Sequence, residues 1–160
     1  MSGKEEYDLL WEDVYNPDLE SVLEMIRSAI ASERSDRQFY TRLAELAPGD
    51  EEREIINDIK EDEARHARMF REIYREICGS QPAFSEEDNE NDENNRWIEY
   101  TAGLREALFD EPEAVRLYRQ IYFGMRSRRH RNMLFAIVTD EQIHADLFNY
   151  LYTRSMMNNL

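Results

Sequence analysis

The chain has few of the residues that punctuate or staple a small fold. Among its 160 residues are five glycines, four prolines and one cysteine, Cys78. A lone cysteine excludes an internal disulfide and a paired-cysteine iron or zinc site, and it suits a reducing compartment. No apolar run approaches the ~20 residues that cross a bilayer, and the acidic start MSGKEEYDLLWEDVY lacks the character of a signal peptide. Positive charge is scarce as well: 20 Lys and Arg stand against 35 Asp and Glu, a formal charge of -15. Such a surface repels nucleic acid and anionic membrane, so neither is expected as a partner, and cations are the more natural clients. The expectation is a soluble cytoplasmic protein of one domain, long enough to bury a core unaided.

Few breakers leave room for long helices. Asn16-Pro17-Asp18 opens the first and Pro48-Gly49-Asp50 closes it; the second runs from about Glu51 to Cys78 and stops at Gly79. A third from about Asn95 to Met125 and a fourth from about His130 to Tyr152 follow an acidic connection without periodicity, QPAFSEEDNENDENN. The chain therefore divides into an N-terminal arm 1–16, a helical hairpin 17–78, a crossover loop 79–94, a second hairpin 95–152 and a tail 153–160, all within one domain 1–160. Short turns make each hairpin antiparallel. The crossover, at ~3.3 Å per residue, reaches about 50 Å when extended, enough to run the length of such helices.

Each helix carries an apolar stripe that acid interrupts at mid-length. The first reads Leu19, Val22, Ile26, Ala29, Ile30, then Glu33, then Tyr40, Leu43; the second Ile55, Ile59, then Glu63 and His66, then Phe70, Ile73, Ile77. In the third, Leu104, Ala107 and Leu108 precede Glu111, and Val115, Tyr118 and Ile121 follow it; in the fourth, Leu134 and Ile137 precede Glu141 and His144, with Phe148 and Leu151 beyond. An unpartnered carboxylate in a bundle core is strongly unfavourable, so four at one level demand positive charge. The nearby basic residues point outward by phase.

The two halves repeat. Glu33 and Glu111, Tyr40 and Tyr118, Glu63 and Glu141, and His66 and His144 are each 78 positions apart. The second and fourth helices share D-E-x-x-H-A-x-x-F-x-x-x-Y, and the first and third share R-x-A-x-x-x-E-x-x-x-x-x-x-Y. Duplication of a helical hairpin explains this spacing.

On these residues, over about 18 to 152, the chain resembles the ferritin-like di-iron carboxylate proteins, most closely a rubrerythrin-like or erythrin-type domain without a rubredoxin module. One Glu from each of two helices and Glu-x-x-His from each of the others is a specific pattern when all six occur in register. Residues three apart share a helical face, so carboxylate and imidazole can bind the same ion. The resemblance implies an all-α, ferritin-like four-helix bundle of two antiparallel hairpins joined by a long crossover, with two iron ions per chain, manganese being the alternative. Glu63 and Glu141 would bridge them, with Glu33 and His66 on one and Glu111 and His144 on the other. It further implies that Asp62 hydrogen-bonds His144 and Asp140 hydrogen-bonds His66. Tyr40 and Tyr118 are either donors to ligand carboxylates across the core or simply amphipathic core residues.

The implied activity is that of a di-iron oxidoreductase acting on hydrogen peroxide or dioxygen, a peroxidase or ferroxidase, with a separate electron donor in the peroxidase case. The alternatives are a non-enzymatic iron-binding, storage or delivery protein, a dimanganese catalase-like protein, and a bundle with an empty site that serves in assembly. A homodimer or higher homo-oligomer is expected. The chain also departs from the family. Where rubrerythrin peroxidases place a further glutamate one turn after the third-helix ligand, this sequence has Ala114, and the equivalent position in the first half is Asp36, an extra carboxylate or a solvated one. Pro112, directly after Glu111, is expected to bend the third helix and shift Glu111 or open the site. His130, in RSRRHR, is expected to be solvated.

Overall fold

The computed structural model describes residues 17–83 and 99–158. They form four helices, α1 (Leu19–Glu45), α2 (Asp50–Cys78), α3 (Tyr100–Gly124) and α4 (Arg128–Asn158), with no strand among the described residues. The arm 1–16 and most of the acidic connection lie outside the described residues.

Local chemistry sets the helix ends. Asp18 caps α1, its Oδ1 accepting from the Ser21 amide at 2.9 Å, which satisfies a donor that the first turn leaves free. Asp50, Glu51 and Glu52 crowd the first turn of α2, where the helix dipole favours negative charge. The same helix ends on Gly79, whose φ of 72° is a conformation that glycine adopts without penalty; its amide reaches Arg75 O at 2.8 Å.

Helix α1 packs on α2 and α3, and α4 packs on α3 and α2. Two apolar clusters fill the bundle, one towards each end. The first joins Val22, Ile26 and Ile30 of α1 to Phe70 and Ile73 of α2, Tyr118 and Ile121 of α3, and Leu134 and Ile137 of α4. The second joins Tyr40 and Leu43 to Ile56 and Ile59, Leu104 and Ala107, and Phe148 and Leu151. Every neighbouring pair is therefore antiparallel. Helix α2 ends beside the first cluster and α3 begins beside the second, so these two helices run parallel and the residues to be joined lie at opposite ends of the bundle. This is the ferritin-like topology.

Several expectations change in detail. Ile56, fully buried, takes the core place expected of its neighbour Ile55, because adjacent isoleucines leave the stripe's phase ambiguous by one position. Helix α4 runs to Asn158 rather than stopping near Tyr152. Contacts to other helices hold its last turns: Arg154 Nη1 bonds Glu51 Oε2 at 2.7 Å and its Nε lies 2.9 Å from Glu52 Oε1, while Ser155 Oγ and Thr101 Oγ1 are 2.6 Å apart. His130 is buried rather than solvated. It falls in the first turn of α4, and its Nε2 lies 2.8 Å from Glu76 Oε2 of α2. Pro112 sits inside α3 without ending it, and Glu111 keeps the same relation to its partners as Glu33, so the expected shift is not seen. An exposed proline costs one backbone bond on the solvent side and leaves the core-facing side chain in place.

Candidate metal centre

Between the two apolar clusters lies a layer of buried polar groups. Glu33, Glu63, His66, Glu111, Glu141 and His144 are each at most 3% exposed. Each helix brings its acid inward because the residues seven and four positions before it and seven after it are apolar and buried: Ile26, Ala29 and Tyr40 around Glu33, and their counterparts in the other three helices. Their donor atoms form two groups, Glu33, Glu63, His66 and Glu141, and Glu63, Glu111, Glu141 and His144, in each of which the atoms lie within 4.8 Å of one another. Glu63 and Glu141 belong to both.

The arrangement is close to twofold symmetric. His66 Nδ1 lies 3.0 Å from Glu141 Oε1, 3.3 Å from Glu63 Oε2 and 3.8 Å from Glu33 Oε2. His144 Nδ1 lies 3.1 Å from Glu141 Oε2, 3.2 Å from Glu63 Oε1 and 3.8 Å from Glu111 Oε2. Tyr118 donates to Glu33 Oε1 and Tyr40 to Glu111 Oε1, both at 2.7 Å. Each tyrosine therefore holds one oxygen of a terminal glutamate and leaves the other facing inward. The outer nitrogens of the imidazoles meet aspartates: His66 Nε2 is 3.2 Å from Asp140 Oδ2, and His144 Nε2 is 3.3 Å from Asp62 Oδ2.

Arg65 joins the site although the repeat does not mark it. Its Nη1 donates to Asp62 Oδ1 and its Nη2 to Asp140 Oδ2, so one guanidinium ties together the aspartates that hold both imidazoles. The available signal was its place three residues after Asp62, on the same helical face. Its counterpart in the repeat is Ile143, so periodicity does not reveal it.

Crowding of acid sets the protonation of the metal-free site. Burial, then the neighbouring Glu63 carboxylate, raises Glu33 well above the ordinary range; burial and Glu141 do the same to Glu111. For Glu63, burial acts upward but bonds from His144 and His66 outweigh it, and the carboxyl falls to about 2. Burial acts downward on the imidazoles and is likewise outweighed, by Glu141 and Glu63, so that His66 rises to about 9 and His144 to about 11. Without metal, both histidines hold their protons at neutral pH, and the terminal glutamates are pushed towards the neutral form.

Protons leave the balance incomplete. Glu33 Oε2, Glu63 Oε1 and Glu141 Oε1 are buried without a hydrogen bond. Each Nδ1 stands between two bridging-position carboxylates, and its one proton satisfies only one oxygen. Orphaned buried acceptors are costly. Two divalent cations would satisfy them all, neutralise four carboxylates and find an oxygen-rich donor set with one imidazole each, which suits iron or manganese. The cluster is compatible with a di-metal site.

A cleft of about 280 Å³ opens between α1 and α3 onto Glu63, Glu111 and Glu141, with Asp36 and Tyr40 on one wall and Asp110 and Ala114 on the other. Asp36 is half-buried there rather than solvated, and burial, followed by the charge of Glu63, pushes it up to about 8. No described helix is long and apolar enough to cross a membrane.

The family model for rubrerythrin matches residues 24–152, a span that includes all six donors. The chain is 35% identical over 127 residues to the uncharacterized protein YhjR of Bacillus subtilis (strain 168), covering 78% of this chain and 82% of that one. No solved structure gives a significant match. The chain belongs to the rubrerythrin family, within the ferritin-like di-iron superfamily.

Proposed function

We propose that this chain is a di-iron protein that activates hydrogen peroxide or dioxygen, acting as a peroxidase or ferroxidase and drawing on a separate electron donor. The observation that carries this reading is the pair of interlocked donor groups with three orphaned carboxylate oxygens at their centre. Glu63 and Glu141 would bridge the two ions, with Glu33 and His66 completing one site and Glu111 and His144 the other. A ferrous pair held there would supply one electron per ion, enough with two protons to take hydrogen peroxide to two waters.

The chain's own residues prepare that chemistry. Asp62 and Asp140 accept a proton bond from each Nε2, which fixes the tautomer that presents the Nδ1 lone pair to the interior. Tyr40 and Tyr118 hold one oxygen of Glu111 and Glu33 and thereby orient the other. The apolar clusters above and below exclude bulk water, which strengthens every interaction between charges in the layer. The cleft admits a small oxidant, and its size disfavours a large organic substrate.

Stopped-flow oxidation of the anaerobic ferrous protein tests this reading. Rapid oxidation by peroxide, repeated on each addition of reductant, is expected of a peroxidase. Rapid oxidation by dioxygen that consumes added Fe(II) is expected of a ferroxidase. Slow oxidation of the bound ions alone would show an iron-handling protein instead.

A further inference from the structure

The two open faces of the donor layer differ in charge. On the α2/α4 face, Arg65 lies across Asp62 and Asp140, so a guanidinium covers the imidazole side. On the α1/α3 face six of the eleven residues that line the cleft are acids. The repeat makes this arrangement uneven. Asp36 corresponds to Ala114, and Asp110 corresponds to Ser32, at the 78-residue offset, and all four line the cleft. Each half thus contributes one acid where the other half has a small residue, so two carboxylates enter the cleft without the crowding of four. Ser32 Oγ donates to Asp36 Oδ2 at 3.2 Å. Glu113 also lines the cleft but is paired with Arg116.

Below these acids lie carboxylates with acceptor capacity to spare. Glu63 and Glu141, 2% and 1% exposed, reach the cleft, and each keeps one orphaned oxygen. The ends of the bundle offer no comparable route, since apolar clusters fill them. A cation approaching by the cleft meets carboxyl oxygens from Asp36 and Asp110 down to Glu63 and Glu141, and one approaching between α2 and α4 meets a guanidinium first.

We propose that the α1/α3 cleft is the cation entrance to the metal centre, and that Asp36 and Asp110 form a transit site where a divalent cation exchanges water for carboxylate before passing to Glu63 and Glu141. The proposal rests on the reading of the six-residue layer as a metal site. Clefts lined by one sign of charge concentrate the opposite ion and raise its association rate by roughly tenfold to a thousandfold. Each carboxylate at the transit site also replaces part of the hydration shell that the ion must shed, so the loss of water is spread over two steps.

Anaerobic stopped-flow uptake of Co(II) by the full chain, followed by its visible absorption, tests the entrance. Above about pH 8, where Asp36 is ionised, Asp36→Asn with Asp110→Asn should slow the second-order rate about tenfold or more and flatten its dependence on salt, with the endpoint still two ions per chain. Asp36→Glu, which keeps the charge, and Glu61→Gln, an exposed acid on α2 away from the cleft, should stay within about twofold of the parent. Unchanged uptake by the double variant would overturn the entrance alone. A double variant that stops below two ions while the parent reaches two would make these aspartates permanent ligands and overturn the transit role. If the parent itself takes up fewer than two ions, the metal-centre reading fails and the entrance with it.

Discussion

Tyr40 of the first hairpin donates to Glu111 of the second at 2.7 Å, and the repeat returns the contact as Tyr118 to Glu33 at the same distance. The two halves therefore complete each other's donor sets, and neither hairpin holds a finished half-site alone. Each hydroxyl favours the ionised carboxylate needed for a cation. Tyr40→Phe and Tyr118→Phe should each weaken Co(II) affinity by roughly tenfold, since partners that orient a ligand are worth about 10- to 100-fold. Equilibrium titration checks this. Loss of affinity in one variant but not the other would show that the symmetry of the hydrogen bonds has no energetic counterpart.

Glu63 and Glu141 belong to both donor groups, whereas Glu33 and Glu111 belong to one each. Glu63→Ala or Glu141→Ala should abolish the paired site, with comparable harm from either. Glu33→Ala and Glu111→Ala should each leave one ion bound. Co(II) titration with magnetic susceptibility separates these cases, because only a bridged pair shows coupling between the ions. A Glu63→Ala protein that still binds two coupled ions would contradict the assignment.

Arg65 serves both aspartates, so its removal should be felt at both ions. With Arg65→Gln, Asp62 and Asp140 lose their shared partner and each imidazole loses a fixed support. Both stepwise Co(II) affinities should fall, by roughly tenfold each. Arg65→Lys should rescue only part of this, because an ammonium cannot hold two carboxylates in one plane as a guanidinium does. A change confined to one ion would mean that the two aspartates act independently.

Stability of the metal-free protein should fall as pH rises. His66 and His144, raised on folding to about 9 and about 11, stabilise the fold below their unfolded value of 6.5 and lose that contribution as pH climbs through the folded values. Glu33 and Glu111, raised by burial, act in the same sense, because the folded chain keeps protons that the unfolded chain has released. Glu63 acts the other way, but its gain is complete well below neutral pH. Calorimetry of metal-free protein should show Tm dropping by several degrees between about pH 6.5 and 9, and metal should remove most of the drop. A flat or rising Tm over that range would contradict the protonation scheme.

The six donors and the helical hairpins were legible because burial forces periodicity, and acid at a buried phase stands out against an apolar stripe. The 78-residue repeat then tied four helices to one level. Contacts between helices left weaker marks. Periodicity could not separate Ile55 from Ile56, nor show that Arg154 and Ser155 find partners on α2 and α3 and so carry α4 through a polar stretch. His130 resembled a solvated turn residue because its partner, Glu76, is 54 positions away. Arg65 breaks the repeat, and the repeat was the guide. Pro112 misled for a related reason: its cost falls on the backbone of the exposed side, while Tyr40 fixes Glu111 from across the core.

The central claim is that one chain holds two ions in a single carboxylate-bridged site. Anaerobic titration of the metal-free protein with Fe(II), read by Mössbauer and magnetic measurements at saturation, tests it most directly. The account predicts two ferrous ions per chain, ~3.5 to 4 Å apart and magnetically coupled. One ion per chain, or two that do not interact, would contradict it.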